Sequence, residues 1–222
     1  MKLLALEFSS VQRSVAVVVA GADGRPLATG EVVETATGHG MKPFALIEEA
    51  LRAASVEREQ IEVIAVGLGP GSYTGIRAAI ALAQGWQLAT GVKLLGVSSA
   101  EGVAAQVQTD GLTGKFSVVI DAQREEFYVA DYEFGPGGMR AVAPLRLGTL
   151  AEVREREGAG ERLVGPEVAR WFPKGRVVFP RAVRLGERAV TRNDFVAGEK
   201  LEPIYLRATA FVKALPSRVI PA

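Results

Sequence analysis

The first hundred residues alternate between short apolar runs and polar turns, and this pattern predicts that the fold begins with strands. Residues 2–8 and 14–19 are apolar runs of strand length, separated by the polar turn SSVQR. A second turn, ADGRP, precedes residues 27–34, in which apolar and polar positions alternate. We therefore expect a three-stranded antiparallel meander at the N-terminus.

Helical and strand patterns then follow each other. Residues 41–54 carry apolar side chains at helical spacing, and Pro43 suits the first turn of a helix. A strand, a helix and a short strand come next, over residues 61–67, 74–89 and 93–97. The order βββαβαβ is that of an RNase H-like half-domain, the unit duplicated in actin-like (ASKHA) proteins.

The second half of the chain echoes the first with less room for helices. After a helix over residues 100–106, two strands and a short charged helix are predicted over residues 116–121, 126–132 and 150–156. Only short ordered pieces are expected further on, at residues 163–165, 177–179 and 184–190. The sequence thus predicts two α/β subdomains: a complete one over residues 1–102 and a reduced one over residues 103–222, whose tail can pack back on the first.

Composition narrows the chemistry available to the chain. It has 222 residues, a formal net charge of +1, no cysteine and a single histidine, His39. Disulfides, cysteine-ligated metals and multi-histidine metal sites are therefore excluded, and no metal or other cofactor is expected. The N-terminal apolar run is broken by Glu7 and is too short for a secretory signal or a membrane span, so we expect a cytoplasmic protein without membrane contact.

Arginines are concentrated between residues 140 and 192. Together with the tail cations Arg207, Lys213 and Arg218, they permit a hypothesis of direct tRNA contact. The alternative is an ordinary solvated surface with ion pairs, which contribute little to stability.

The segment GLGPGSYTGIR, residues 67–77, predicts a glycine-rich turn between a strand and a helix. Two interpretations of this turn remain open. Backbone amides at a helix N-terminus can hold a phosphate, although the turn lacks the Gly-Lys-Ser/Thr ending of a Walker loop. Alternatively, Gly69 and Gly71 only permit a backbone with positive φ, and Ser72 or Thr74 caps the helix.

The helix after this turn carries apolar residues on every face, and Arg77 is its only charge. The apolar positions are Ile76, Ile80 and Ala83 on one side and Ala79, Leu82 and Trp86 on another. A helix that is apolar all round has to be buried all round. We expect one face to pack on the sheet and the other to bind a partner; the alternative is that the rest of the chain covers it.

Glu7 ends the first strand, and Asp121 ends the corresponding strand of the second half. Actin-like phosphotransferases place an Asp at the first of these positions, and two opposed carboxylates could hold a metal with phosphate ligands. Glutamate is one methylene longer than aspartate, and no glycine pair for an adenosine is evident in the second half. A vestigial nucleotide or anion site is therefore a secondary hypothesis, with Glu7, Ser9, Gly69, Gly71, Ser72 and Asp121 as its residues.

Five segments agree in order and spacing with one known family: LLALEFSS, GLGPGSYTGIR with AQGW after it, GVSS, VIDAQREEFYVADY, and EPIYLR with KALP. On these residues the chain resembles the TsaB (formerly YeaZ) family over nearly its whole length. The resemblance implies a noncatalytic subunit of the bacterial complex that forms threonylcarbamoyladenosine in tRNAs decoding ANN codons.

The resemblance also implies partners. TsaD, the paralogue that transfers the threonylcarbamoyl group, would pair with this chain through the N-terminal helices. The residues carried over are Phe44, Ile47 and Leu51 on the first helix and Ile76, Ile80 and Leu82 on the second. The isolated chain would form a homodimer, the ATPase TsaE would join the complex, and tRNA would be bound indirectly through it.

The chain departs from the family pattern at two positions. Glu7 stands where the family usually has Asp, and Ser9 where Thr is common, which weakens a nucleotide site more than the family assignment. His39 matches a family position, but Pro43 stands where TsaD has its second metal ligand. The alternative function is a stand-alone actin-like ATPase or phosphotransferase; a peptidase would have little chemistry available, with no cysteine and one histidine.

Overall fold

The computed structural model describes residues 1–35 and 42–207 and contains two five-stranded sheets. His39, Lys213 and Arg218 lie outside the described residues. Across the part of the chain that is described, no helix combines the length and the apolar character needed to cross a membrane.

The first sheet has the strand order β3-β2-β1-β4-β5. Its strands are β1 (Lys2–Glu7), β2 (Gln12–Ala20), β3 (Pro26–Thr35), β4 (Val63–Gly67) and β5 (Lys93–Val97). The antiparallel meander β1-β2-β3 continues through the parallel pairs β1-β4 and β4-β5. Helices α1 (Pro43–Ala53) and α2 (Tyr73–Thr90) connect the parallel strands, so the predicted βββαβαβ unit is confirmed.

The second sheet has the strand order β10-β9-β6-β7-β8. Its strands are β6 (Gly114–Asp121), β7 (Glu126–Gly135), β8 (Gly138–Thr149), β9 (Leu163–Gly165) and β10 (Arg176–Val177). The accompanying helices are α3 (Ser99–Thr109), α4 (Leu150–Gly158), α5 (Val168–Trp171) and α6 (Ala182–Ala189). Counted from β8, the order and the strand directions repeat those of the first sheet. The reduction lies in the lengths of β9, β10 and α5, which have 3, 2 and 4 residues.

The strand β8 is missing from the sequence-based prediction. It lies at the edge of the second sheet, most of its residues are exposed or half-buried, and Pro144 interrupts it. Opposite this proline, the pairing with β7 shifts register between Val129 and Asp131. A proline has no amide to donate and is tolerated in a sheet at edges and bulges, so here it marks an irregular edge strand.

Each sheet is covered on both faces by apolar layers. Successive strand residues point to opposite faces, so Leu4 and Leu6 pack with α1 and α2, whereas Leu3 and Ala5 pack with α6. The second sheet is covered by α3 on one face and by α4 and α5 on the other. The first sheet is therefore completed by a helix, α6, that follows the second sheet in sequence.

Candidate functional site

A cleft of about 1100 Å³ opens between the two halves, at the ends of β1 and β6. Four of the six residues predicted for a nucleotide or anion site line it: Ser9, Gly71, Ser72 and Asp121. The two other predicted residues, Glu7 and Gly69, are buried and do not line it. Four of the six residues therefore lie together at one cleft, and a nucleotide or anion site there stays a prediction.

The glycine-rich turn packs against the end of β1 through its backbone. Gly69 and Gly71 have φ angles of 86° and 147°, which confirms the predicted positive φ. The amide of Ser72 donates to the carbonyl of Ser9 at 2.6 Å, and a Cβ on Gly71 would lie 2.2 Å from that same oxygen. Glycine is required here because the two backbones approach so closely.

The start of α2 is held in the same way. The hydroxyl of Ser72 accepts a hydrogen bond from the amide of Gly75 at 3.4 Å, so Ser72 is the predicted N-cap. A Cβ on Gly75 would lie 2.0 Å from the carbonyl oxygen of Phe8. The turn thus lets α2 sit directly on β1, and the amides of Gly69, Ser72 and Gly75 are bonded within the chain.

Glu7 lies beneath this turn and is fully buried. Its carboxylate accepts from the amide of Ser9 at 2.7 Å and from the hydroxyl of Ser99 at 2.8 Å. The Ser99 hydroxyl accepts in turn from the amide of Gly69 at 3.1 Å. Burial raises the pKa of Glu7, and the hydrogen bonds from Ser9 and Ser99 oppose that shift.

Glu7 and Asp121 therefore do not face each other across the cleft. The Glu7 carboxylate is used to tie β1, the glycine-rich turn and α3 together, and it has no surface in the cleft. The sequence pattern places both acids at strand ends but does not show that α2 closes over one of those ends.

Asp121 lies on the second-half wall of the cleft. One carboxylate oxygen accepts from the amide of Gln123 at 2.6 Å, and the other from the indole of Trp171 at 3.3 Å. Glu167 lines the same wall, and its pKa is raised by burial and by the charge of Asp121. Within residues 1–35 and 42–207, no group of three His, Cys, Asp or Glu side chains is placed to hold a metal ion.

The turn between β6 and β7 is strained and presents an arginine to the cleft. Gln123, Arg124 and Glu125 have φ angles of 65°, 58° and 60°, and each left-handed non-glycine residue costs about 1–2 kcal/mol. The amide of Leu150 donates to the carbonyl of Glu125 at 3.0 Å, and the guanidinium of Arg207 donates to that of Gln123 at 3.1 Å. The central residue, Arg124, is exposed and lines the cleft.

Arginines outnumber carboxylates among the residues that line the cleft. The arginines are Arg13, Arg124, Arg170 and Arg207, against Asp121 and Glu167. Among the described residues, the buried Nε of Arg13 has no hydrogen-bond partner, the guanidinium of Arg170 lies 5.4 Å from the ring centre of Trp171, and Arg207 pairs with Glu126. Arg13 and Arg124 cannot be paired from the sequence, because they are over a hundred positions apart and only the fold brings them to one cleft.

A pair of tyrosines stands beside these arginines. Tyr73 and Tyr205 line the cleft with ring centres 5.6 Å apart, and their exposures are 54% and 47%. The guanidinium of Arg77 lies 5.3 Å from the ring centre of Tyr73 and donates to its hydroxyl at 3.1 Å. Such large exposed rings on a concave surface are available to a ligand.

The helices predicted to bind a partner present a different set of residues from the one proposed. Six of the predicted residues are buried in the chain's own core: Ile47, Leu51, Ile76, Ala79, Ile80 and Ala83. Leu82 and Trp86 are half-buried against the same core, and Phe44 is 68% exposed. The first sheet covers the inner side of α2, and among the described residues Ala81, Gly85 and Leu88 stay exposed on the outer side. The expectation that one face packs on the sheet therefore holds, and binding of a partner by the other face stays a prediction.

We call the outer surface of these helices the α1–α2 face, formed by Phe44, Ala81, Gly85 and Leu88. Leu88 is 89% exposed, Ala81 and Gly85 are exposed, and a Cβ on Gly85 would meet no atom within 4 Å. Periodicity alone finds the apolar positions of a helix but does not show which of them the rest of the chain leaves uncovered.

Comparison with known families gives a match over most of the chain. A family model described as TsaD, tRNA N6-adenosine threonylcarbamoyltransferase, matches residues 34–220. The tRNA threonylcarbamoyladenosine biosynthesis protein TsaB of Escherichia coli K12 is 26% identical over 198 residues, which cover 81% of this chain and 85% of that protein.

Solved structures of two related proteins have the same fold as this chain. A Pseudomonas aeruginosa protein described as similar to peptidase YeaZ is 26% identical, with a TM-score of 0.75 over 93% of this chain and 99% of that one. YeaZ from Pseudomonas aeruginosa is 24% identical, with a TM-score of 0.74 over 92% of this chain and 99% of that one. The predicted fold of two actin-like α/β halves is thereby confirmed.

Proposed function

This chain belongs to the family of the transferase TsaD and, within it, to the TsaB (YeaZ) proteins, and on that premise we propose that it is a noncatalytic subunit in tRNA threonylcarbamoyladenosine formation. It docks TsaD, keeps TsaD in its active arrangement and helps recruit TsaE. Because the complex it joins modifies tRNA, we expect this subunit to work in the cytoplasm.

The observation that carries this proposal is the α1–α2 face. Leu88 and Phe44 are large apolar side chains exposed by 89% and 68%, and burying each of them fully would contribute about 1.5–3 kcal/mol. Ala81 and Gly85 are exposed small residues seven and three positions before Leu88, on the same side of α2, and they let a partner backbone come close. A helix surface of this kind is typical of protein interfaces.

The noncatalytic role is supported by the position of Glu7. In an actin-like phosphotransferase the residue at this position needs to reach the ligand. Here both of its carboxylate oxygens are bonded inside the protein, to Ser9 and Ser99. The residue that would handle metal or water is thus part of the scaffold that supports α2.

Co-purification with TsaD from the same organism tests the docking surface. The variant Leu88→Glu should weaken the complex about a hundredfold, because its carboxylate would be buried without a partner. The matched control is Val142→Glu, which changes an exposed valine on the edge strand β8 and should leave the complex intact. Both sites are exposed, so both variants should fold, which circular dichroism will check.

Two outcomes would contradict the proposal. Failure of the unaltered chain to capture TsaD would remove docking altogether. Unchanged capture by folded Leu88→Glu would move docking away from the α1–α2 face. Molecular mass in solution, measured without TsaD, shows whether a second copy of this chain covers the same face.

The cleft favours one second candidate, a stand-alone actin-like ATPase or phosphotransferase. Asp121 and the glycine-rich turn line it, as that function would require. Calorimetry of the isolated chain with Mg-ATP separates the two functions, since micromolar binding would support the enzyme and no heat of binding the docking subunit.

A further inference from the structure

We propose that the cleft between the two halves binds unpaired nucleotides of an RNA strand directly, with arginines on its walls contacting phosphates and the Tyr73–Tyr205 pair stacking on a base. The proposal rests on the proposed function, because it supplies the tRNA of that function with a contact on this chain. It adds a site of direct recognition to a subunit otherwise assigned only to docking.

The cations are placed on opposite walls. Arg13 comes from β2 of the first half, whereas Arg124 and Arg170 come from the second half. The buried Nε of Arg13 is without a hydrogen-bond partner among the described residues, although Glu34 stands opposite Arg13 in the β2–β3 pair. Arg170 lies near enough to Glu167 to lower the pKa of that carboxyl. Guanidinium groups bind phosphate oxygens well, so a phosphodiester chain lying in the cleft would meet cations on both sides.

The strained turn fixes one of these cations in place. Arg124 is the middle residue of a run of three left-handed residues, none of which is glycine. Non-glycine residues in this region persist only where the surroundings hold them, and they are concentrated at binding sites. Here the guanidinium of Arg207 and the amide of Leu150 bind the carbonyls of the turn, which keeps Arg124 directed at the cleft.

The aromatic pair provides the contact with a base that the proposed site requires. Tyr73 and Tyr205 are both about half exposed, line the same cleft, and are backed by Arg77 over the Tyr73 ring. Proteins that bind single strands combine a positively charged groove with aromatic rings on which bases stack. Paired bases in an RNA helix cannot reach such rings, so the arrangement fits unpaired nucleotides.

The geometry favours a strand over a free nucleotide. Two of the amides at the start of α2, those of Ser72 and Gly75, are bonded to the carbonyl of Ser9 and the hydroxyl of Ser72, so this helix start offers a terminal phosphate fewer donors than an open one. The available cations are side chains spread over two walls. Asp121 and Glu167 reduce the positive excess, so binding should be moderate and sensitive to salt.

The test is binding of the full chain to a fluorescein-labelled, unmodified ANN-decoding tRNA transcript, measured by anisotropy over a salt series. The variant R124Q/R170Q should weaken binding at least about tenfold, and it should lower the slope of log K against log salt by about 1 to 2, because each lost phosphate contact contributes about 0.7. Tyr205→Ala should weaken binding about tenfold, whereas Tyr205→Phe, which keeps the ring, should bind like the unaltered chain.

The matched charge control is K115Q/R154Q, which removes two exposed cations that do not line the cleft and should change affinity less than twofold. A fully paired RNA duplex should compete poorly. The proposal is overturned if R124Q/R170Q binds like the control, if the unaltered chain does not bind the transcript, or if millimolar AMP displaces the tRNA completely.

RNA binding in the cleft and TsaD capture by the α1–α2 face can be disrupted separately. R124Q/R170Q should still capture TsaD, and Leu88→Glu should still bind RNA, because the two sets of residues lie in different places. Loss of RNA binding with TsaD capture intact locates the defect in the cleft. Loss of TsaD capture with RNA binding intact contradicts the proposed function and leaves the cleft site standing.

Discussion

Glu7 and Asp121 each end the first strand of a five-stranded sheet, and the two sheets share one strand order. Glu7 is fully buried and bonded to Ser9 and Ser99. Asp121 lies on the wall of an open cleft and bonds to the turn that follows it. Equivalent positions in one topology thus have opposite relations to solvent.

The difference comes from the helices. In the first half, α2 has 18 residues and its glycine-rich turn packs on the end of β1. In the second half, the corresponding helix α5 has four residues, and the end of β6 stays open. The strand order places both acids at corresponding strand ends. The helices that pack over those ends decide which carboxylate is accessible to a ligand.

The largest effect on stability is expected at Gly75, where α2 packs directly on the end of β1. The variant Gly75→Ala places a Cβ 2.0 Å from the backbone carbonyl of Phe8, which cannot move without displacing β1 or α2. We expect the free energy of unfolding to fall by about 3 kcal/mol or more, measured by urea denaturation. A loss below about 1 kcal/mol would show that α2 does not rest on β1 as described.

The next effect concerns pH. The pKa of Glu7 is raised above its ordinary value of 4.5 by burial, so the folded state holds its proton more tightly than the unfolded state. The stability this contributes is complete below the ordinary pKa and is lost as pH rises through the folded pKa.

The comparison protein is Glu7→Gln, which has no charge to bury. Relative to this variant, the unaltered chain should lose stability as pH rises above the ordinary pKa of Glu7, measured by urea denaturation at each pH. If the free energies of unfolding of the two proteins change in parallel with pH, the raised pKa of the buried Glu7 carboxyl is contradicted.

A smaller effect, of opposite sign, is expected on the outer side of the same helix. Gly85 is exposed, and a methyl group added to its Cα would have no atom within 4 Å. Gly85→Ala should therefore raise the free energy of unfolding by about 0.5–1 kcal/mol, since alanine is the better helix former. The contrast with Gly75→Ala, measured in the same denaturation experiment, separates the covered side of α2 from the exposed side.

The smallest effect is expected at Asp121. Asp121→Asn keeps an oxygen to accept from the amide of Gln123 and loses only the 3.3 Å hydrogen bond from the indole of Trp171, at a partly exposed site. The free energy of unfolding should change by no more than about 0.5 kcal/mol. A change above about 2 kcal/mol in thermal or urea denaturation would mean that Asp121 is a structural acid like Glu7, and would remove the contrast between the halves.

The sequence predicted the fold well where apolar runs are regular and buried. The strands and helices of the first half were found with small errors at their ends, whereas β8 was missed because Pro144 and its exposed edge position remove the alternating pattern. The second half was expected to be stunted, yet it keeps all five strands.

The candidate site was harder to predict. The positive φ of Gly69 and Gly71 follows from glycine in a turn, but Gln123, Arg124 and Glu125 adopt positive φ without any glycine as a signal. Likewise, Ile76 and Leu88 are equally apolar in the sequence, and only the packing shows that one is 1% and the other 89% exposed. Burial depends on contacts between distant segments, which local patterns do not contain.

The return of α6 to the first sheet has a consequence for synthesis. Leu185 and Val183 cover Leu3 and Ala5, and the amide of Ala182 bonds to the hydroxyl of Ser14, so the N-terminal strands lack their second covering layer until residue 189 has left the ribosome. Domains usually fold in order as they emerge. Here the first-made sheet has to wait until the second sheet has also been made, so both halves mature together.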